Sequence, residues 1–324
     1  MPQRTLRGGV DLGGTKIQAV VVDDDQHVLG QARRPTPAVG GPADVVAAID
    51  EALREAADQA SVDVASLSGI GIGAPGAIDE ATGSLARAGN LPGWRDPYPL
   101  AGDLTGRLGP PVMLGNDVQV ATDAEFTLGA AKEFQSLLGV FWGTGVGGGI
   151  VLEGRPWLGR GAAGEIGHVV VRHHGLPCPC GRHGCMEAYA GRRAMEQRAR
   201  EAQDGGEKTH LFKIMEEKGR ERLTSGVWAK AVERDDDVAV RLIDDAVEAL
   251  GVAVASACNI LDVDAVIIGG GMGVRFGEPY ARRIEEAMMP HLFHDDLPPV
   301  IRVAELGDLG GALGAALLVA VPVA

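Results

Sequence analysis

An α/β protein of two related lobes is the fold this sequence predicts, on three observations. The chain of 324 residues exceeds one ordinary domain of roughly 100–200 residues. Helical and strand periodicities alternate along it. Two glycine-turn hairpins of like design stand in its two halves, around Gly13-Gly14 and around Gly143-Thr144-Gly145.

The elements follow in order. From Arg7 to Val22 a β-rich run is interrupted by Gly13 and Gly14, and Asp23-Asp24-Asp25 turns the chain into a further strand near His27 to Arg33. Val45, Val46, Ile49, Leu53 and Ala56 recur at helical spacing between Pro42 and Gln59, and a strand from Gly69 to Ala74 follows. A short strand, Val112 to Leu114, runs into Asn116-Asp117 and an alanine-rich helical segment. The second hairpin spans Leu137 to Leu152. Glu201 to Ser225 is charged and reads as a surface insertion. Ala239 to Leu261 holds one apolar helical face through Leu242, Ile243, Ala246, Leu250 and Val254. A buried strand, Asp264 to Ile268, then meets Gly269-Gly270-Gly271, with helices near Glu278 to Met289 and Gly310 to Val319. The division of lobes is expected after residue 116, with 1–116 a small lobe to which a helix over 309–324 returns, and 117–308 a large one.

Composition narrows the class. The chain is 45% hydrophobic and 23% charged, as a soluble globular protein is. Its 30 basic and 44 acidic residues leave a net charge of −14, which repels a phosphate backbone, and no basic patch is segregated, so nucleic acid is not expected as a partner. No apolar stretch of secretory type precedes Asp11, so the expected compartment is the cytoplasm. The apolar tail from Leu309 is short of the ~20 residues that span a bilayer. A buried final helix is expected there, with no membrane partner.

Glycines number 48, and three runs of them sit where backbone can approach a ligand. In Asp11-Leu12-Gly13-Gly14-Thr15-Lys16 the turn leaves N–H groups to face an anion, with the Thr15 hydroxyl beside them. Gly143-Thr144-Gly145 repeats the design, so one loop from each lobe can grip a triphosphate from two sides. Neither has the spacing of a P-loop or a dinucleotide fingerprint. The third run, around Gly270 and Gly271, ends a strand at a helix approach and suits an adenine or ribose.

Asp117 at a strand end is the candidate general base for phosphoryl transfer to an alcohol, because an ionised carboxylate can accept the hydroxyl proton. The competing reading is that Asn116 or Asp117 merely caps the following helix. His168, Cys178, Cys180 and Cys185 fall within eighteen residues, spaced H-x9-C-x-C-x4-C. Three thiolates and an imidazole make a closed tetrahedral zinc site with no open position for water, hence a structural one. His173, His174 and His183 are alternative imidazole ligands. Cys258, far away on the long apolar helix, reads as a small buried side chain.

These pieces, in this order, resemble the ROK family of sugar kinases and related repressors, a branch of the actin-like ATPase superfamily. The resemblance rests on DLGGTK from Asp11, GTGVGGGI from Gly143, GRGAAGEIGH from Gly159, CPCGRHGCME from Cys178 and GGGMG from Gly269. It implies the two-lobed actin-like (ribonuclease H-like) fold with a nucleotide and sugar cleft between lobes, ATP with Mg2+ on the glycine loops, and Asp117 as base. It further implies sugar contacts through Gly76, Asn90, Asn116, Asp117, Glu165, His168 and Glu187. One nitrogen of His168 would bind zinc and the other a sugar hydroxyl.

The Glu165-to-His168 and Cys178-to-Glu187 segments are similar to the glucokinase group, so glucose is the expected acceptor. N-acetylglucosamine or N-acetylmannosamine, then fructose, are the alternatives. A homodimer or homotetramer is implied by the resemblance alone. A sugar-sensing repressor would need a DNA-binding helix-turn-helix, for which the early first strand leaves no room. One departure stands out: the family pattern of small residues and another Asn after Asn116-Asp117 is replaced here by Val118-Gln119-Val120-Ala121-Thr122-Asp123. The pocket wall behind the base is expected to differ accordingly.

Overall fold

The computed structural model describes residues 5–319. Packing divides the chain into two units, one reaching Gly129 and resuming at Leu306, the other Ala130–Glu305. The first contains β1 (Arg7–Leu12), β2 (Lys16–Val22), β3 (Val28–Pro35), α1 (Pro42–Gln59), β4 (Ile70–Ala74), β5 (Ala77–Asp79), β6 (Ser84–Ala86), α2 (Leu100–Leu108), β7 (Val112–Asn116) and α3 (Asp117–Thr127). The second contains β8 (Leu137–Trp142), β9 (Val146–Leu152), β10 (Arg155–Pro156), α4 (Glu187–Ala190), α5 (Arg192–Asp204), α6 (Leu211–Glu217), α7 (Ser225–Val232), α8 (Asp237–Leu261), β11 (Ala265–Gly269), α9 (Gly270–Met288) and β12 (Val300–Val303). The chain then returns to the first unit as α10 (Gly310–Leu317).

The two main sheets repeat one design. In the first the order is β3-β2-β1-β4-β7, and in the second β10-β9-β8-β11-β12. Each opens with an antiparallel meander and closes with two strands parallel to the first. Parallel strands reached by helical crossovers bring their carboxyl ends to one edge, which is where ligands bind in open α/β sheets. In the first unit that edge carries Asp11 opposite Gly73, and Asn116 opposite Ala74. In the second it carries Phe141 opposite Gly269.

Helix α1 buries the face its spacing predicts, Val45, Val46, Ile49 and Leu53. Helix α8 buries Leu242, Ile243, Ala246, Leu250 and Val254, each large aliphatic side chain contributing roughly 1.5–3 kcal/mol. Its start is fixed by Asp236, whose carboxylate accepts the Ala239 N–H at 2.9 Å, a cap of about 1 kcal/mol. The part of the apolar tail in α10 is buried helix: a Cβ on Gly314 would fall 1.8 Å from the Val120 carbonyl oxygen, so α10 lies backbone to backbone on α3. No helix among the described residues is long and apolar enough to cross a membrane. Residues 320–324 of the expected helix over 309–324 lie outside the described residues.

Three features depart from the sequence reading. Helix α3, placed there in the second lobe, packs in the first unit against α10 and β4. The charged stretch from Glu201 to Ser225 is not simply surface: it contains α6 and buries Leu211, Ile214 and Leu223 completely or nearly so. Helix α9 begins at Gly270, eight residues before Glu278, with a break at Gly277 where φ is +61°. Glycine's poor helix propensity hid that first segment.

Candidate functional site

In the first unit the β1–β2 turn is closed by the Gly13 N–H donating to the Lys16 carbonyl at 2.9 Å. The Thr36 hydroxyl donates to the Gly13 carbonyl at 2.6 Å. These bonds occupy the Lys16 and Gly13 carbonyls, and among the described residues the N–H groups of Gly14 and Thr15 donate to no protein acceptor. Gly14 lies against Asn90: a Cβ there would stand 2.8 Å from the Asn90 carbonyl oxygen. Lys16 pairs with Asp308 at 3.1 Å, and Arg33 reaches the same carboxylate at 3.3 Å. Burial pushes the Asp11 carboxyl above the usual carboxylate range, with Lys16 pulling it back and Asp308 adding to the rise.

At the end of β7 the two neighbouring residues divide the work. Asn116 is the helix cap, its Oδ1 accepting the Val118 and Gln119 N–H groups at 3.0 Å each. Asp117 stands at the first helical position with its Oδ1 on the Val118 N–H at 2.9 Å. Gly76, in the turn after β4, has φ +99°, and a Cβ would meet the Ala86 carbonyl oxygen at 2.6 Å. Behind the pair, Gln119 is buried and its amide donates to Asp123 at 2.7 Å. Burial raises the Asp123 carboxyl to about 7, against that hydrogen bond.

In the second unit the β8–β9 turn mirrors the first. Its Gly143 N–H donates to the Gly145 carbonyl at 2.9 Å. The leading N–H groups of α5, on Arg192 and Arg193, bind the Gly143 and Thr144 carbonyls at 3.1 and 3.0 Å. Among the described residues the N–H groups of Thr144 and Gly145 donate to no protein acceptor. The start of α9 joins them: a Cβ on Gly143 would stand 4.0 Å from the Gly271 nitrogen. Gly270 holds φ +78° with its backbone against Trp142.

The cysteine cluster forms as its spacing predicts. The donor atoms of His168, Cys178, Cys180 and Cys185 all lie within 4.8 Å of one another. Cys180 Sγ and Cys185 Sγ are 3.7 Å apart, and Cys178 Sγ is 3.8 Å from His168 Nδ1. Zinc–sulfur bonds of ~2.3 Å at tetrahedral angles span edges of about 3.8 Å, so the donor set fits a zinc ion. His168 is thereby the imidazole of the set, not His173, His174 or His183. Its Nε2 faces the other way, 3.9 Å from a Glu165 oxygen.

Glu187, two residues past Cys185, begins α4 and turns to the glycine loop. Its Oε2 accepts the Val146 N–H at 2.9 Å. A Cβ on Gly145 would stand 2.2 Å from that oxygen, so a side chain at this position would displace the carboxylate.

Each unit therefore gathers its own share of the expected residues. Asp11 through Lys16, Gly76, Asn90, Asn116 and Asp117 fall at the strand ends and turns of the first. The second brings together Gly143 through Gly145, Gly270, Gly271, Glu187, Glu165, His168 and the cysteines. Two charged residues escaped sequence reasoning. Asp308 meets Lys16 from 292 positions away, which no local pattern can announce. Arg192 donates to the Thr144 hydroxyl at 2.9 Å, and only its place five residues after Glu187 hinted at it.

The family model described as "ROK family" matches residues 7–321. A glucokinase of Thermotoga maritima is 34% identical over 90% of this chain and 90% of its own length. An N-acetyl-D-glucosamine kinase of Haemophilus influenzae is 30% identical over 96% of this chain and 98% of its own. Among solved structures, a ROK family glucokinase from Streptomyces griseus in complex with glucose and AMPPNP superposes with a TM-score of 0.81, at 31% identity, covering 98% of this chain and 99% of that one. The chain belongs to the ROK family, and its fold is the actin-like ATPase fold of the ROK sugar kinases.

Proposed function

We propose that this sugar kinase of the ROK family transfers a phosphoryl group from ATP to a hydroxyl of a hexose, with glucose the first acceptor. The observation that carries the mechanism is the division of labour at the end of β7. Asn116 accepts the Val118 and Gln119 N–H groups of α3, so the cap persists without Asp117, whose Oδ1 also meets the Val118 N–H, and we assign its carboxylate the proton of an attacking hydroxyl. The first segment of the nucleotide site is the Gly13-to-Lys16 turn, where N–H groups of Gly14 and Thr15 suit phosphate oxygens. Asp11, whose buried carboxyl gains from a nearby cation, fits the magnesium that accompanies ATP. Thr144, Gly145 and the α9 start at Gly270-Gly271 supply donors of the same kind in the second unit.

We assign sugar recognition to Asn90, Asn116, the turn at Gly76, Glu165, His168 and Glu187. Hydrogen-bonding groups of this kind discriminate because a missing or misplaced hydroxyl leaves a buried partner unpaired. His168, Cys178, Cys180 and Cys185 would hold a zinc ion, whose contribution is structural. With Nδ1 on the metal, His168 must carry its proton on Nε2, which faces Glu165 and is so aimed as a donor.

Glucose is favoured by the glucokinases among the relatives; the N-acetylglucosamine kinase among them supports the second reading, an N-acetylhexosamine acceptor. The deciding experiment is a coupled assay of ATP-dependent phosphorylation across glucose, N-acetylglucosamine, N-acetylmannosamine, mannose and fructose. The highest kcat/KM on glucose supports the first reading. A lead for an acetamido sugar replaces it with the second, and no turnover with any of them removes the kinase assignment.

A further inference from the structure

The second glycine loop has a cation at its side that the family motifs do not contain. Arg192 opens α5, and its guanidinium donates to the hydroxyl of Thr144 at 2.9 Å while its backbone N–H holds the Gly143 carbonyl. The adjoining N–H groups of Thr144 and Gly145 have no protein acceptor among the described residues.

Arg192 also lacks a counterion. No carboxylate among the described residues lies within ion-pair distance of it. Glu196, one turn further along α5, is fully engaged: one oxygen takes Arg200 at 2.9 Å and Arg222 at 3.1 Å, and the other takes Arg222 and the Leu223 N–H at 3.1 Å each. Burial holds the Arg192 side chain below the usual arginine range, opposed by Glu196, while Arg222 and Arg193 push the same way as burial. A half-buried guanidinium with no acid partner is stabilised by an anion supplied from outside.

We infer that Arg192 is a phosphate-contacting residue of the nucleotide site, neutralising negative charge on the phosphoryl chain of ATP and ADP beside Thr144 and Gly145. The inference rests on the assignment of this loop to nucleotide and adds to it the side chain that reads phosphate number. A guanidinium suits the task because its planar fork can grip two oxygens while one N–H stays on Thr144. An arginine that only propped the loop would act on every nucleoside alike.

The test is a calorimetric series of adenosine, AMP, ADP and ATP against wild type, Arg192→Met, Arg192→Lys and Thr144→Val, each checked for unchanged thermal unfolding. Arg192→Met is expected to weaken ADP and ATP by about tenfold or more, as loss of a charge-assisted contact does, and to leave adenosine unchanged. Arg192→Lys should recover part of that loss, and Thr144→Val should weaken ADP less than Arg192→Met does. Equal loss for adenosine and ADP in Arg192→Met would reduce the residue to a prop and overturn the inference. So would wild-type ADP affinity in that variant while wild type binds ATP normally. A wild type that binds no ATP overturns the nucleotide assignment itself, and this inference with it.

Discussion

The carboxylate of Glu187 accepts the backbone N–H of Val146 at 2.9 Å, from a position two residues beyond Cys185. One side chain thus ties the cysteine loop to the glycine turn of β8 and β9. A residue proposed to touch sugar is also a strut of the second glycine turn. Glu187→Ala is therefore expected to raise KM for sugar by at least tenfold and KM for ATP several-fold. Glu165→Ala, lacking such a tether, is expected to move sugar KM alone. Steady-state kinetics with each substrate varied separately makes the comparison, and an unchanged ATP KM in Glu187→Ala would sever the link.

The same tether shapes the expected effect of the metal. Elemental analysis should find one zinc per chain, and Cys185→Ser should abolish it. A zinc ion at this cluster would fix His168 directly and the glycine turn only through Glu187, so its removal is expected to raise sugar KM by about 10–100-fold and ATP KM by less. Equal losses for the two substrates would count against an organising role on the sugar side.

Asp117→Asn removes the proposed proton acceptor and leaves the cap at Asn116 intact. The expected result is a kcat about 10²–10⁴-fold lower with unchanged circular dichroism and little change in sugar binding. A variant within tenfold of wild type would require another base.

Asp123 makes stability depend on pH. Its carboxyl sits near 7 in the fold against an ordinary value of 3.8, so the folded state holds the proton more tightly than the unfolded chain. Its contribution is complete below pH ~4, falls as pH rises towards 7, and is lost above that. Asp123→Asn retains an acceptor for Gln119. It is expected to match wild type near pH 4 and to exceed it by on the order of 1–3 kcal/mol at pH 8, read from urea unfolding at both values.

Close packing of α10 on α3 sets a steric limit. Gly314→Ala places a methyl where only 1.8 Å separates it from the Val120 oxygen, and is expected to cost about 1–3 kcal/mol. A urea midpoint equal to that of wild type would show that α10 can shift without loss.

Much of this protein is legible in short stretches of chain, because the interactions responsible are local. The hydrophobic repeat of α1, the turn chemistry of Gly13-Gly14 and Gly143 to Gly145, and the H-x9-C-x-C-x4-C spacing each act within a few turns of backbone. The α/β alternation and the two repeated meanders follow from them, and so does the candidate zinc site. Tertiary structure decided what depends on distant partners or on competition between neighbours. Asn116 rather than Asp117 became the cap because its oxygen reaches two N–H groups at once. Leu211 and Leu223 became core because a charged segment folded over its few apolar residues. Lys16 met Asp308, Glu187 met Val146 and Arg192 met Thr144 only when separate elements were packed together. Long-range contacts of this kind follow from topology, which a reading of periodicity and spacing along one strand of residues does not contain.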